Sequence, residues 1–190
     1  MINTKEDLRF YLSEDLKRFE TKPTIKDWLI YNEGWYIFQF IRNLRYLEYY
    51  TNSSKNLRKK ILFYLRFYVY KRQVFKLKVD IKPNNLGPGF RLYHLGSLVR
   101  VKQNCRIGKN CSMLPGVVIG NKNQENNNTW VIIGDNCYIG VDAKIFGEVR
   151  IGNNVVIGAN SVVTKDIPDN CVASGIPAKI IKRDGVRIIN

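Results

Sequence analysis

The chain has 190 residues, of which 45% are hydrophobic, and a formal net charge of +15. That length fits one compact domain or two small ones, and the apolar content excludes wholesale disorder. No apolar run approaches the roughly 20 residues of a membrane-spanning helix. The acid-bearing start MINTKEDLRFYLSEDLKRF lacks the apolar segment of a secretory signal, so a cytoplasmic protein is expected. Nucleic acid, an anionic membrane surface or small anionic substrates would each suit the charge, and so would plain solvated basic faces. No nucleic-acid-binding module accompanies it, so nucleic acid is not an expected partner.

Residues 1–79 read as an α-helical N-terminal domain. Thr4 with Asp7 resembles a capping arrangement, and Leu8, Leu12, Leu16 and Phe19 follow at helical spacing until Pro23 interrupts. A second amphipathic stretch runs through Ile37, Phe38, Ile41 and Leu44, and a third through Leu57, Ile61, Leu65 and Tyr68. Three or four helices are expected. The third stretch carries Lys59, Lys60, Arg66, Lys71, Arg72 and Lys76, with no acid between Lys55 and Lys78. A basic, aromatic amphipathic helix can lie on an anionic membrane surface. Packing against an oligomer partner, with the basic residues solvated, is the favoured reading, since most apolar helix stripes are packing surfaces.

From residue 95 the pattern changes. An aliphatic residue recurs at every sixth position, as Leu95, Val101, Ile107, Met113, Ile119 and again as Ile133, Ile139, Ile145, Ile151, Ile157, Val163. A small or β-branched residue stands two positions before most anchors (Cys105, Cys111, Val117, Val131, Cys137, Ala143, Val149, Val155, Ser161), and a glycine follows many of them. Neither a helix nor an alternating strand has a period of six. A solenoid of short strands and tight turns does, with each anchor pointing into a shared core. The spacing from Ile119 to Ile133 is fourteen, so eight extra residues sit in the Asn-rich stretch before Ile133, read as a loop over 121–130. Such insertions usually mark a binding face.

Cys105, Cys111 and Cys137 occupy the small inward phase, which predicts buried, reduced thiols, with Cys111 stacked on Cys137 if three six-residue steps close one coil. No cysteine is read as a nucleophile, and no CxxC or His-rich spacing suggests a metal. A carbonic-anhydrase-like zinc site would need three histidines, and the chain has one, His94. His94 lies in GPGFRLYHLGSLV, at the junction of the helical region with the repeats.

The segments VDIKP, GPGFRLYH, IGANSVVTKDIP and SGIPAKII, together with the repeats and the Asn-rich loop, resemble the serine acetyltransferase-related hexapeptide acyltransferases over roughly residues 79–183. The resemblance implies a left-handed parallel β-helix over 80–183 with a C-terminal tail at 184–190. It implies acetyl-CoA as co-substrate and a homotrimer, which can pair through its helical domains, with each site between neighbouring coils. It implies a histidine general base, carried to His94, and an orienting aspartate, carried to Asp80. Gly140, Val141, Gly158 and Ala159 are assigned to the pantetheine arm, and Lys165 and Lys179 to the CoA phosphates. Serine enzymes of this kind carry an acid before the histidine and a second histidine in the loop. Here Tyr93 and Trp130 stand in those places, and Asn190 ends the chain where isoleucine is usual. Aromatic side chains suit a sugar ring. The expected activity is therefore O-acetylation of a glycan hydroxyl, with serine O-acetylation and a non-catalytic scaffold as alternatives.

Overall fold

The computed structural model describes residues 1–53, 56–120 and 130–188. Four helices come first: α1 (Lys5–Lys17), α2 (Ile25–Leu29), α3 (Glu33–Asn52) and α4 (Leu57–Leu77). The start of α1 is fixed by a reciprocal cap in which Asp7 N–H donates to Thr4 Oγ1 at 3.0 Å while Thr4 N–H donates to Asp7 Oδ2 at 2.9 Å. Asn32 caps α3 by accepting from Gly34 N–H at 2.8 Å. A left-handed Lys78 at φ 57° ends α4 and turns the chain into the first strand.

From there the chain winds into a left-handed parallel β-helix with three flat faces. The first face stacks β1 (Val79–Ile81), β3 (Val99–Val101), β6 (Val118–Gly120), β9 (Lys144–Phe146) and β12 (Val162–Val163). The second stacks β4 (Cys105–Ile107), β7 (Val131–Ile133) and β10 (Val149–Ile151). The third stacks β2 (Arg91–Leu92), β5 (Ser112–Met113), β8 (Tyr138–Ile139), β11 (Val156–Ile157) and β13 (Cys171–Gly175). Anchor sits on anchor: Val101 aligns with Ile119 and Ile119 with Ile145, while Ile107 aligns with Ile133 and Ile133 with Ile151. The register carries through the insertion before Ile133, so the added residues leave the coil's phase unchanged. Of the loop read over 121–130, all but Trp130 lies outside the described residues.

The two jobs that turns impose are divided between residue types. Left-handed backbone is carried largely by Asn and Asp, including Asn110, Asn136, Asn154 and Asn170 at one corner. There Asn136 donates to Asn154, Asn154 to Asn170 and Asn170 to Asp184, at 3.1, 2.9 and 3.1 Å. The glycines that follow the anchors serve close approach instead. A Cβ on Gly108 would lie 2.5 Å from the carbonyl oxygen of Gly134 on the next rung.

Past the last full coil the chain differs from a simple tail. Strand β14 (Ala178–Arg183) pairs antiparallel with β13, and β15 (Val186–Arg187) pairs with β14 across a turn at Asp184–Gly185, both at positive φ. Cys171, at the start of β13, is buried like Cys105, Cys111 and Cys137, and all four thiols are free. Cys137 N–H donates to Cys111 Sγ at 3.4 Å, the predicted stack.

Helices and coil share one core. Ile37, Phe40, Ile41, Leu44 and Leu47 of α3 cluster with Val79, Phe90, Leu92 and the coil anchors, so α3 closes the open end of the solenoid. Its polar clamp is Arg45, fully buried. Arg45 meets Asp15 of α1 at 2.8 and 3.1 Å, Glu48 at 3.2 Å, and the carbonyl oxygens of Leu86 and Gly87 at 2.8 and 2.7 Å. Asp15 in turn accepts from Gly89 and Phe90 N–H. Outside this core, α4 presents Leu57, Ile61, Tyr64, Leu65, Tyr68 and Phe75 to solvent. Among the described residues no helix is long and apolar enough to cross a membrane.

Candidate active site

His94 follows strand β2, at the corner where the third face passes to the first. Arg91, Leu92 and Tyr93 are held on the coil by Arg91 N–H to Cys111 O at 3.0 Å and Tyr93 N–H to Met113 O at 3.1 Å. Leu92 is buried and anchors this rung, which leaves Arg91 and Tyr93 pointing outward on the same side. The imidazole itself is well exposed. Its Nδ1 lies 2.6 Å from Glu33 Oε1, and Leu95 N–H donates to Glu33 Oε2 at 3.2 Å. One carboxylate on the first turn of α3 thus bridges the histidine ring and the backbone beside it.

Helix and coil enclose a cleft of about 340 Å³ here, lined by Glu20, Asp27, Glu33, Arg91, Tyr93 and His94 among others. It is a mixed-charge site. The Arg91 guanidinium lies over the Tyr93 ring, 4.2 Å from its centroid, and pairs with the exposed Glu20 at 3.1 Å. Tyr93 also meets Tyr138 edge-on, with ring centroids 6.2 Å apart. Asp27 serves the start of α2, accepting from Thr24 N–H at 2.7 Å, and those bonds hold its carboxyl below the usual aspartate value.

The structure gives Asp80 other partners than His94. It lies on β1, where it accepts from Lys82 Nζ at 2.8 Å and Tyr70 Oη at 3.0 Å, with Arg100 Nε at 3.6 Å. Burial opposes its ionisation, but Lys82, Tyr70 and Arg100 outweigh that and hold the carboxyl below its ordinary value. The carboxylate that reaches His94 is Glu33, 61 positions away in sequence. Nothing local in the sequence marks it, because an acid at the first position of a helix is commonplace beside the helix dipole.

Gly140, Val141, Gly158 and Ala159 lie at the same corner as His94, on successive rungs. Gly140 N–H donates to Ile157 O and Gly158 N–H to Ala173 O, both within 2.9 Å. A Cβ on Gly140 would stand 2.7 Å from Ala159 N, so this corner is packed backbone against backbone. Lys179 is exposed beside it on β14, whose register pairs it with Ser174. Lys165, also exposed, lies beyond β12 at the next corner. Trp130 stands at that second corner too, with Arg106 over its ring at 5.2 Å. Within one chain, then, Tyr93 and Trp130 do not form a pair.

The chain matches two repeat families: the bacterial transferase hexapeptide (six repeats) over residues 131–165 and the hexapeptide repeat of succinyl-transferase over 99–122. It is 38% identical over 111 residues to a serine acetyltransferase of Staphylococcus aureus, covering 58% of this chain and 52% of that one. It is 36% identical to the Synechococcus elongatus serine acetyltransferase, covering 58% of this chain and 45% of that one. The chain thus spans about half the length of the curated relatives it matches. Among solved structures, the Neisseria gonorrhoeae serine acetyltransferase superposes with a TM-score of 0.72 at 29% identity, covering 97% of this chain and 70% of that one. The Brucella abortus serine acetyltransferase in complex with coenzyme A gives 0.69 at 28% identity, covering 94% and 67%.

These relatives overturn the glycan acceptor expected from Tyr93 and Trp130. Within one chain the aromatic pair is split between corners, and the cleft beside His94 is lined by carboxylates of the helical region, Glu20, Asp27 and Glu33, with Arg91 opposite. The family resemblance stands: hexapeptide repeats wound into a β-helix, related to the serine acetyltransferases.

Proposed function

For this hexapeptide-repeat protein related to the serine acetyltransferases, we propose acetyl-CoA-dependent O-acetyltransfer, with serine as the acceptor. The observation that carries the reading is the corner itself. The chain's single histidine stands at the head of a column of close-packed turn residues and opens onto a cleft of both charges.

In the reaction His94 takes the proton of the acceptor hydroxyl as its oxygen attacks the thioester carbonyl. The new C–O bond forms, the C–S bond breaks, and the proton passes on to the departing CoA thiolate. No acyl-enzyme is needed, because donor and acceptor meet in one groove. Backbone N–H groups along the corner suit the developing oxyanion. The turns at Gly140–Val141 and Gly158–Ala159 take the pantetheine arm, and Lys179 with Lys165 the phosphates. Arg91 answers the serine carboxylate and Glu20 its ammonium group, and their mutual ion pair is exposed enough to exchange partners.

The site would be completed in a homotrimer, which the split between the two corners supports: Trp130 and Lys165 of one copy would face His94 of the next. The outward apolar stripe of α4, flanked by Lys60, Lys71, Arg58 and Lys76 with no acid on the helix, suits an anionic lipid surface better than a second, equally basic copy. Failure of the protein to sediment with anionic vesicles at low salt would sink that part.

The decisive test of the activity is CoA release from acetyl-CoA with L-serine and with a panel of other hydroxyl acceptors, with His94→Ala alongside. Release with serine that falls about 10²–10⁴-fold in the variant is expected. Undiminished release in the variant, or none with serine while another acceptor works, would overturn the proposal.

A further inference from the structure

We infer that Glu33, through its contact with the His94 ring, is the positioning residue of this site and fixes which nitrogen acts as base. The inference rests on the proposed role of His94 and adds the element that orients it.

Three observations meet at this carboxylate. Glu33 Oε1 lies 2.6 Å from His94 Nδ1, and with no competing acceptor on that nitrogen among the described residues, Nδ1 carries the proton in the neutral ring. Nε2 is then the ring nitrogen that keeps its lone pair, the form a general base requires. The second oxygen, Oε2, accepts from Leu95 N–H at 3.2 Å, so the carboxylate is fixed against the backbone that carries the ring rather than against the ring alone. Two contacts from one planar group set the ring's tilt as well as its tautomer, which a single hydrogen bond does not.

The fold holds Glu33 there by other means than the pair itself. Asn32 caps the helix, and Tyr31 just before it takes a left-handed φ of 55°, a conformation costly for an aromatic residue and kept only where surroundings impose it. Twelve residues along the same helix, Arg45 bolts α3 to the carbonyls of Leu86 and Gly87. The helical region is therefore part of the reaction machinery: it delivers the group that turns the lone coil histidine into a base of defined tautomer. Asp80, in the middle of β1, is engaged instead by Lys82, Arg100 and Tyr70.

Because the chain has one histidine, its ring nitrogens can be read without assignment, by ¹⁵N NMR of the full-length protein labelled at histidine. The neutral wild-type ring is expected in the Nδ1–H form. Glu33→Ala is expected to return it to the mixture an unrestrained imidazole shows. Glu33→Gln, which keeps an acceptor oxygen and the helix start, is expected to retain most of the Nδ1–H form. In acetyl transfer, Glu33→Ala is expected to lower kcat roughly 10-fold or more with the KM for acetyl-CoA unchanged, and Glu33→Gln to recover part of it. An Nε2–H ring in the wild type, a tautomer unmoved in Glu33→Ala, or a Glu33→Ala enzyme of full kcat each overturns the inference. A tautomer that moves as expected in a protein inert toward every acceptor supports the positioning contact and removes the proposed activity, so the two failures are told apart. Should Glu33→Ala not fold, Glu33→Gln carries the test through kcat, since a neutral amide weakens the contact without removing the side chain, and a Glu33→Gln enzyme of full kcat overturns the inference.

Discussion

Arg45→Ala tests whether the helical region and the coil are one cooperative unit. The guanidinium has no exposed surface and makes five hydrogen bonds to Asp15, Glu48, Leu86 O and Gly87 O. Removing it leaves two buried carboxylates and two carbonyls without their cation. Breaking a buried pair in this way costs about 3–5 kcal/mol. For a chain of this size that corresponds to a fall in Tm of roughly 6–20 °C. The cost should depend on pH with a definite sign. Burial raises the Glu48 carboxyl above its usual value, against the pull of Arg45. A folded-state pKa above the unfolded one gives stability that is present below the ordinary carboxylate range. That stability is lost as pH rises through the folded value. Without Arg45 the folded value rises further, so the penalty of the mutation is smaller at about pH 5 than at about pH 8.

Urea unfolding followed by far-UV circular dichroism at the two pH values measures this directly. Arg45→Lys should fall between wild type and alanine, since a point charge cannot serve two carboxylates and two carbonyls at the fork geometry of arginine. A loss below about 1 kcal/mol, or a penalty equal at both pH values, would refute the reasoning. Separate transitions for helices and coil in the wild type would refute it too, because the shared core requires one.

Gly140→Ala places a methyl 2.7 Å from Ala159 N and 2.8 Å from Ile157 O, backbone that cannot step aside. A loss of about 1–3 kcal/mol in thermal or urea unfolding is expected, together with weaker CoA binding by calorimetry. All four cysteines are free and buried, and burial pushes the Cys105 thiol up to about 12. A thiol reagent at neutral pH should therefore label the native protein far more slowly than the urea-unfolded chain, where mass spectrometry should find all four modified.

The fold was legible because its signal is local and repeated. Each rung states its own phase, as in Cys137-Tyr138-Ile139 and Val155-Val156-Ile157, and an insertion between rungs leaves that phase readable on both sides. The end of the solenoid was less so. The Asp184-Gly185 pair that turns β14 into β15 is an ordinary hairpin signal, but the strands beside it, AKIIKR and VR, carry neither the period of six nor a clean alternation. Turn roles were half legible. Glycine after an anchor signals a turn, but which residue bends left and which lets the next rung approach depends on stacked neighbours 18 positions away, as Gly134 shows against Gly152.

The site resists sequence reading for a different reason: its parts come from two kinds of structure whose spacing no single period relates. His94 was found because it is alone, and the corner residues Gly140 and Gly158 because they repeat. Glu33 and Glu20 belong to the helical region and meet the coil only because α3 lies across its open end, clamped by Arg45. Tyr93 is legible locally as a position without an acid, but the carboxylates that line its cleft, Glu20, Asp27 and Glu33, come from the helical region, far away in sequence. On the proposed activity, acceptor selectivity is shared between Glu20 of the helical region and Arg91 of β2, so changing either should alter which acceptor is used while leaving the backbone contacts at Gly140 and Gly158 untouched.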